Sequence, residues 1–126
     1  MYRILSHSIV FAMALTPLTP AAAQSQMEMN ERAENDFTKA DKSLNEIYKK
    51  LMATISPEGR ARLRDVEKVW IQFRDEECAF ETLGTVEGSI HPMVLLYCKG
   101  RLTNQRIKDL DAQLNCEEGD VSCGGQ

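Results

Sequence analysis

The sequence has few of the residues from which metal and redox sites are built. It contains two histidines and four cysteines in 126 residues. No two cysteines have the C-x-x-C spacing of a metal site, and His91 precedes Cys98 by seven residues, which is not a ligand spacing either. Glycine-rich phosphate loops and Walker-type motifs are also missing. We therefore predict neither a metal nor a cofactor.

Residue sets that support catalysis are equally scarce. A serine–histidine–acid set has to use Ser89 and His91, but residues two apart in a turn cannot form the nucleophile–base contact without strain. Glu77, Glu81 and Glu87 could supply a pair of carboxylates for glycoside hydrolysis. With 19 acidic residues in the chain, however, such pairs arise by chance. We predict that the protein is not an enzyme.

Long apolar runs are absent after the N-terminal segment, which has the features of a secretion signal. Arg3 supplies a positive start, residues 9–15 are apolar, and residues 21–23 form a small-residue cleavage site. A transmembrane anchor is the alternative, but it needs about 20 apolar residues and this run is shorter. We expect residues 1–23 to be removed as a signal peptide. The product would be periplasmic or secreted, without a membrane anchor.

The charge balance is acidic. The whole chain has a net charge of −4, and removal of Arg3 with the signal peptide makes it one unit more negative. An acidic exported protein is a poor candidate for binding nucleic acid and a reasonable one for binding a basic protein. We therefore predict a protein partner and no nucleic acid.

Apolar residues in the remaining chain recur every three or four positions, which predicts helices, and no strand-like alternation is present. The first helix is predicted from about Glu31 to Ile55. Ser56 and Pro57 end it and begin the second helix, because serine is a favourable N-cap and proline a favourable first residue. The apolar face of the first helix is predicted to contain Phe37, Ala40, Leu44, Tyr48, Leu51 and Ile55.

Two further helices follow the same pattern. The second is predicted from Pro57 to about Leu83, and the third from the turn around Pro92 to about Leu114. The inward side chains of the second helix are predicted to be Leu63, Val66, Trp70, Phe73 and Phe80. Those of the third helix are predicted to be Leu95, Leu96, Leu102, Ile107, Leu110 and Leu114. The expected fold is all-α, a small antiparallel bundle of three main helices.

All four cysteines lie in the part that is predicted to be exported, where disulfides are the default. Three pairings are possible, and we predict Cys78–Cys98 and Cys116–Cys123. The first bond joins neighbouring helices and pins the bundle, and its removal is expected to cost about 3 kcal/mol of stability. The second closes a short polar turn in a flexible tail, residues 116–126, which follows the helical domain of residues 24–115.

Several polar residues fall inside or beside the predicted apolar faces. They are Asp41, Asn45, Arg74, Thr103 and Arg106. Because a buried charge is costly unless it is paired, we expect one network between the helices, in which Asp41 faces Arg74 or Arg106. Such a network fixes the register of the helices. The alternative is that these residues line an exposed groove.

The turn G-T-V-E-G-S-I-H-P between the second and third helices is the best candidate for a binding surface. It is held near both ends by the predicted Cys78–Cys98 bond, so little conformational entropy would be lost on binding. The candidate partner-binding residues are Glu87, Gly88, Ser89, Ile90 and His91. The alternative is a plain connection built from turn-forming glycines and an N-cap serine.

Three groups of residues, in this order, resemble the LprI-type lysozyme-inhibitor family. The first group, matching A-D-x-x-L-N-x-x-Y, is Ala40, Asp41, Leu44, Asn45 and Tyr48. The second is Trp70, Phe73 (often tyrosine in the family), Arg74, Asp75 and Cys78. The third is Gly88, Ser89, Cys98, Leu102, Thr103, Arg106 and Leu110. The resemblance spans about residues 36 to 112 and leaves out the tail with Cys116 and Cys123.

The resemblance implies an exported helical domain with a Cys78–Cys98 bond, and it implies inhibition of a lysozyme. Ser89, His91, Lys99 or Arg101 could then donate hydrogen bonds to the two carboxyl groups of a lysozyme cleft. The family's namesake is a lipoprotein, but this chain has no cysteine near the cleavage site, so we expect no lipid. The alternative function is an interaction or structural module whose partner is another envelope protein. A secreted effector directed at a host fits the same features.

Overall fold

The computed structural model describes residues 20–117 and 119–124, with side chains from Ser25 onward. Its elements, in chain order, are helix α1 (Pro20–Thr54), helix α2 (Pro57–Glu81), a 3-10 helix (Leu83–Thr85) and helix α3 (His91–Leu114). No strand occurs among the described residues, and the Cys78–Cys98 disulfide is present. The predicted all-α bundle of three main helices pinned by a disulfide is therefore confirmed.

Two predicted helix ends differ from the observed ones. Helix α1 begins at Pro20 rather than near Glu31. The additional segment consists mostly of alanine, glutamine and methionine, which are good helix formers. The prediction missed it because the segment has no apolar stripe. Helix α2 ends at Glu81 rather than Leu83, where the backbone tightens into the 3-10 turn. The predicted signal peptide, residues 1–23, lies almost wholly outside the described residues, so its removal stays a prediction.

The chain reversal between α1 and α2 takes two residues. The Ser56 Oγ accepts a hydrogen bond from the Gly59 N–H at 3.1 Å, which caps α2, while Pro57 occupies its first position. The Arg60 guanidinium donates to the Ile55 carbonyl at 2.9 Å and satisfies one of the free acceptors at the end of α1. So short a connection makes α1 and α2 antiparallel.

Helices α1 and α3 are in the most extensive contact, and they run parallel to each other. At one end of the pair Asn30 contacts the backbone of Ser89, and at the other end Leu51 and Leu110 are both buried. The apolar core lies at this second end. Its buried members are Leu44, Ile47, Leu51, Ile55 and Leu110, surrounded by Tyr48, Met52, Leu63, Trp70, Ile107 and Leu114. Removal of this apolar surface from water is the main stabilising contribution to the pair.

Helix α2 packs mainly against α3 and is buried along a narrow strip. The buried residues of α2 are Gly59, Arg74 and Cys78. Cys78 is bonded to Cys98 on α3, with a Cα–Cα distance of 5.6 Å. One covalent bond and a few polar side chains therefore account for most of the buried contacts that attach α2, beside the partly buried Leu63 and Trp70.

The prediction that Val66, Phe73 and Phe80 face inward is wrong. These side chains are 50%, 52% and 74% exposed. Leu63 and Trp70, which belong to the same prediction, do pack against the core. Because α2 has neighbours on one side only, it can bury one of its two apolar stripes, and the other remains in solvent.

The C-terminal tail folds back against the last turns of α3. Cys116 and Cys123 are bonded, with a Cα–Cα distance of 5.8 Å. The Gln113 side chain donates to the Ser122 carbonyl at 3.1 Å and accepts from the Gly124 N–H at 2.8 Å. These contacts fasten the small disulfide loop to the end of the bundle that is remote from the turn between α2 and α3.

Candidate functional site

The connection between α2 and α3, residues 82–90 (the α2–α3 loop), is a series of hydrogen-bonded turns. Backbone bonds of 2.9, 2.8 and 3.0 Å join Thr85 to Thr82, Gly88 to Thr85, and His91 to Gly88. The Thr82 hydroxyl donates to the Cys78 carbonyl at 2.7 Å, which ties the start of the loop to α2. The loop is therefore ordered by its own backbone before any partner binds.

Two further attachments hold the α2–α3 loop at its ends. The Cys78–Cys98 disulfide crosses between the helices just below the loop, and both cysteines are buried. From α1, the Asn30 side-chain amide donates to the Ser89 carbonyl at 3.2 Å. Ser89 is thus fixed through its backbone, whereas its side chain is exposed. It does not cap α3, whose first turn has no side-chain cap.

His91 has a defined tautomer in this arrangement. The Thr85 Oγ lies 2.7 Å from the Thr82 carbonyl, to which it donates, and 3.0 Å from His91 Nδ1. Because a hydroxyl has one proton, the Thr85 Oγ must accept from Nδ1–H. The neutral imidazole therefore carries its proton on Nδ1, and Nε2 on the other edge of the ring is an acceptor.

Apolar side chains cover the outside of the α2–α3 loop. Leu83, Val86 and Ile90 are 68%, 52% and 40% exposed, and Phe80 at the end of α2 is exposed beside them in sequence. Sequence reasoning identified Ile90 but missed Leu83 and Val86. It assigned Phe80 to the core because helical periodicity does not distinguish a buried stripe from an exposed one. Exposed apolar residues on a rigid loop are typical of a protein-binding surface.

The loop end of the molecule is also acidic. Glu87 is exposed on the loop itself. Glu28, Glu31 and Glu34 on α1 line a groove together with Pro92 at the start of α3. The carboxylates of α1 and of the loop therefore lie at the same end of the bundle and give it negative charge.

The two basic residues considered as donors to a lysozyme, Lys99 and Arg101, already have partners. Lys99 Nζ is 3.2 Å from an oxygen of Asp75, and Arg101 Nη2 is 2.7 and 2.8 Å from the two oxygens of Glu81. Binding a partner through either residue would require breaking an ion pair first. We therefore expect the loop, rather than these two cations, to make the primary contacts.

Arg74 is the centre of the polar network between the helices. It is 6% exposed and its guanidinium lies 5.2 and 5.4 Å from the ring centres of Phe37 and Trp70, which is cation–π distance. Its nitrogens lie 3.4 Å from Asp41 and 3.5 Å from the Thr103 hydroxyl. Arg74 thus joins all three helices. Asn45, at the edge of the network, is exposed and donates to the Asp41 carbonyl and carboxylate.

Asp75 completes the pairing of Arg74. The Arg74 Nε donates to Asp75 at 2.9 Å, and Lys99 from α3 contacts the same carboxylate. Partial burial tends to raise the pKa of Asp75, but the hydrogen bonds and positive charges of Arg74 and Lys99 outweigh it and hold that pKa below its ordinary value. Asp75 is therefore a charged link between α2 and α3.

Arg106 pairs with Glu67, and not with Asp41. Its Nε and Nη2 donate to one Glu67 oxygen at 3.1 and 2.9 Å, and its guanidinium lies 5.8 Å from the Trp70 ring centre. The other Glu67 oxygen is buried and has no hydrogen-bond partner among the residues that the structure describes. Sequence reasoning missed Glu67, although its position three residues before Trp70 places it on the inward face of α2.

Other kinds of site find little support in the described part of the chain. Within it, no group of three or more histidine, cysteine, aspartate or glutamate side chains is placed to hold a metal ion. Over the same residues, no helix has an apolar stretch long enough to cross a membrane. A groove of about 650 Å³ lies at the end opposite the loop, between Ile55, Leu63 and Leu110. Core residues form its apolar part, and polar residues of α2, α3 and the tail form the rest, with Arg62 and Val66 at the α2 side.

Comparison with known proteins places the chain in a family. A family model described as "Lysozyme inhibitor LprI" matches residues 19–110, which includes both cysteines of the bundle and ends before the tail. An uncharacterized protein of Rhizobium meliloti (strain 1021) is 27% identical over 109 residues, covering 76% of this chain and 78% of the relative. No solved structure matches. Because the family model covers most of the chain, the protein belongs to the LprI lysozyme-inhibitor family.

Proposed function

We propose that this protein is exported and inhibits a lysozyme by direct protein–protein contact, with residues Glu87–His91 of the α2–α3 loop region at the centre of the interface. The observation that carries the proposal is the match of the LprI model to residues 19–110. The geometry of the loop supports it, because an inhibitor of a cleft enzyme needs a protruding segment that is already ordered.

The order of the α2–α3 loop lowers the entropic cost of binding. Immobilising a flexible interface costs about 0.5–1.5 kcal/mol for each rotamer-rich side chain, and ordering a loose loop costs more. Here the turns, the disulfide and the Asn30 contact fix the backbone in advance. The apolar side chains Leu83, Val86 and Ile90 are then available to exclude water from the cleft around the contact.

Charge supports the same partner. Lysozymes are usually basic, and the loop end of this chain carries Glu28, Glu31, Glu34 and Glu87. Complementary charge speeds the encounter of two proteins and orients them as they approach. The acidic end of the bundle would therefore turn the α2–α3 loop towards the enzyme.

His91 offers a specific contact inside the cleft. The catalytic acid of a lysozyme has a raised pKa of about 6 and carries a proton in its active form. Since the neutral His91 ring presents Nε2 as an acceptor, it can accept a hydrogen bond from that acid. The Ser89 hydroxyl can donate to the second, ionised carboxylate. This pairing occupies both catalytic groups without using Lys99 or Arg101.

Export of the protein accounts for the N-terminal segment and the two disulfides. We propose that residues 1–23 are cleaved, that residues 24–115 form the inhibitory domain, and that residues 116–126 form a tail with its own disulfide. The mature protein is then periplasmic or secreted. Both disulfides of the structure suit an oxidising compartment.

The test is a turbidity assay in which the oxidised protein is titrated against chicken-type and goose-type lysozymes at low and moderate salt. We expect stoichiometric inhibition of at least one type. Ile90→Asp should weaken inhibition at least about tenfold, equivalent to 1.4 kcal/mol. Val121→Asp is the matched control, because Val121 is fully exposed on the remote tail, and it should inhibit like the wild type.

The proposal is wrong if lysozyme keeps its full activity in a molar excess of this protein, when circular dichroism shows that the protein is folded. A variant without the bundle disulfide, Cys78→Ser/Cys98→Ser, should inhibit less, because the loop loses its clamp. Equal loss of inhibition in the Ile90 and Val121 variants would place the contact elsewhere than the loop.

A second candidate function is an interaction module whose partner is another envelope protein. The pairing of Lys99 and Arg101 within the chain favours it, because fewer free cations remain to meet the carboxylates of a lysozyme. Capture of one endogenous protein that Ile90→Asp no longer binds, together with no inhibition of any lysozyme, would select this function.

A further inference from the structure

Helix α2 carries a second apolar stripe that no described residue covers. It consists of Val66, Val69, Phe73 and Phe80, which are 50%, 67%, 52% and 74% exposed. Their spacings of three, four and seven residues place them on one side of the helix, as in the contact seam of a coiled coil. The inward side of α2, with Trp70, is a different face. A row of four exposed apolar side chains indicates a binding partner more strongly than scattered single exposed residues do.

Two charged residues lie on the same stripe. Arg62 is one turn before Val66, and Glu76 is between Phe73 and Phe80. Both are exposed, and neither forms an ion pair with any other residue that the structure describes. They are separated by 14 positions in the helix, which is about 21 Å along its axis. The midpoint between them is Val69, so the charges are placed symmetrically about an apolar residue.

We propose that α2 pairs with α2 of a second copy of this chain, in antiparallel orientation, about a two-fold axis that passes beside Val69. Such an axis brings Arg62 of each copy level with Glu76 of the other. It also brings Val69 against Val69, and it places Val66 of each copy within one residue of the level of Phe73 of the other. A two-fold interface has to be self-complementary in this way, and residues 62–76 of the stripe meet that condition, whereas Phe80 lies level with Glu58 of the other copy.

The charges decide the orientation. In a parallel pair Arg62 would lie beside Arg62 and Glu76 beside Glu76, which is repulsive at both positions. In the antiparallel pair both charges meet their opposites. This complementarity also favours a second copy over an unrelated partner, because the stripe supplies both halves of each contact.

The exposed area is sufficient for a weak dimer. The four apolar side chains and the two exposed charged ones supply at most on the order of 600 Å² on each copy. The pair therefore buries at most on the order of 1,200 Å², which is at the low end of specific interfaces. We expect a weak dimer with a dissociation constant on the order of 10 µM, because interfaces at the low end of the size range include the weak, transient ones.

The dimer is independent of the proposed lysozyme contact. Antiparallel pairing places the two α2–α3 loops at opposite ends of the dimer, and both remain exposed. An assembly that binds two lysozymes would follow if both proposals hold, but neither requires the other. The test of the dimer therefore needs no lysozyme, which serves only to assign the stripe if no dimer forms.

The experiment is analytical ultracentrifugation of the oxidised protein over a range from about 1 to 200 µM, which brackets the expected dissociation constant. We expect a reversible monomer–dimer equilibrium. Val69→Asp places two like charges on the axis and should give a monomer throughout the range. Ile71→Asp is the matched control, because Ile71 is an exposed apolar residue on the other flank of the same helix, and it should dimerise like the wild type.

Two further sets of variants, one of charge reversals and one of cysteine substitutions, keep the result interpretable if Val69→Asp fails to fold. Arg62→Glu and Glu76→Arg should each weaken the dimer at least fivefold, and the double variant should restore it. Val69→Cys should form a disulfide with itself across the axis, whereas Ile71→Cys should not. A wild type that is monomeric at 200 µM contradicts the proposal, as does a dimer that Val69→Asp leaves intact. A monomer whose inhibition of lysozyme is abolished by Val69→Asp would assign the stripe to the enzyme instead, and would also overturn the dimer.

Discussion

Helices α1 and α3 are joined mainly by apolar burial, whereas α2 is joined to them mainly by polar pairs and one disulfide, with Leu63 and Trp70 at the edge of the apolar core. The α1–α3 contact contains Leu51 and Leu110, each 2% exposed. The α2 contact contains Arg74, the Glu67–Arg106 pair and the Cys78–Cys98 bond. A helix that is attached by a few specific contacts can expose apolar residues elsewhere without losing its place. The difference explains how a small bundle presents both an apolar loop and an apolar stripe.

The largest effect is expected at the Glu67–Arg106 pair. Arg106→Met leaves the Glu67 carboxylate, whose side chain is 12% exposed, without a counter-charge. Loss of one partner of a buried pair typically costs about 3–5 kcal/mol. The double variant Glu67→Met/Arg106→Met should recover most of that loss, because two apolar residues need no pairing. Urea unfolding of the three variants measures this. A double variant as unstable as Arg106→Met would show that the ion pair itself stabilises the fold, and that the two charges do more than neutralise each other.

A comparison of two apolar truncations tests the difference between the helices directly. Leu51→Ala creates a cavity in the α1–α3 core and should cost about 2–5 kcal/mol. Phe80→Ala removes a larger side chain, but one that is 74% exposed, and should cost less than about 1 kcal/mol. The measurement is thermal unfolding of the two variants beside the wild type. Equal costs would mean that Phe80 is buried in solution.

Removal of the bundle disulfide should destabilise the protein by about 3 kcal/mol, because the cross-link constrains the unfolded chain. Cys78→Ser/Cys98→Ser isolates this effect. The matched control is Cys116→Ser/Cys123→Ser, which opens the tail loop and touches none of the core, and should change the unfolding midpoint little. A larger loss from the tail bond than from the bundle bond would contradict the assignment of α2 as the helix that depends on its disulfide.

The smallest effect is expected at Asp75 and should depend on pH. Its folded pKa lies below the ordinary value of 3.8, so its pairing stabilises the fold above that pH and is lost as the pH falls through the lowered value. Asp75→Asn should therefore cost less than about 1 kcal/mol at pH 7, since the side chain is half exposed. The difference from the wild type should vanish in acid. Unfolding free energies measured between pH 7 and pH 2.5 check this, and a constant difference would exclude the linkage.

The sequence contained enough to predict the fold and the first disulfide. Helical spacing identified three helices, and Ser56-Pro57 marked the turn between the first two because capping is a local property. The inward face of α2 was only half predicted. Val66, Trp70 and Phe73 all fit a helical spacing, and which of them is buried depends on where the neighbouring helices lie.

The pairing of the polar residues was also only half predictable, because it too depends on where the neighbouring helices lie. The pattern indicated that Asp41 needs a cation from Arg74 or Arg106, and burial alone does not choose between them. The choice follows from the register of α2 against α3, which brings Arg106 to Glu67 and leaves Arg74 for Asp41. The apolar cover of the loop, with Leu83 and Val86, was not predictable because no repeat marks an exposed turn.

The claim that the α2–α3 loop and the α2 stripe have separate roles is tested most directly by hydrogen–deuterium exchange with and without lysozyme. We expect lysozyme to slow the exchange of backbone amides in residues 83–91 and to leave the exchange of those in residues 62–76 unchanged. Protection confined to residues 62–76, or no protection anywhere at saturating enzyme, would contradict it.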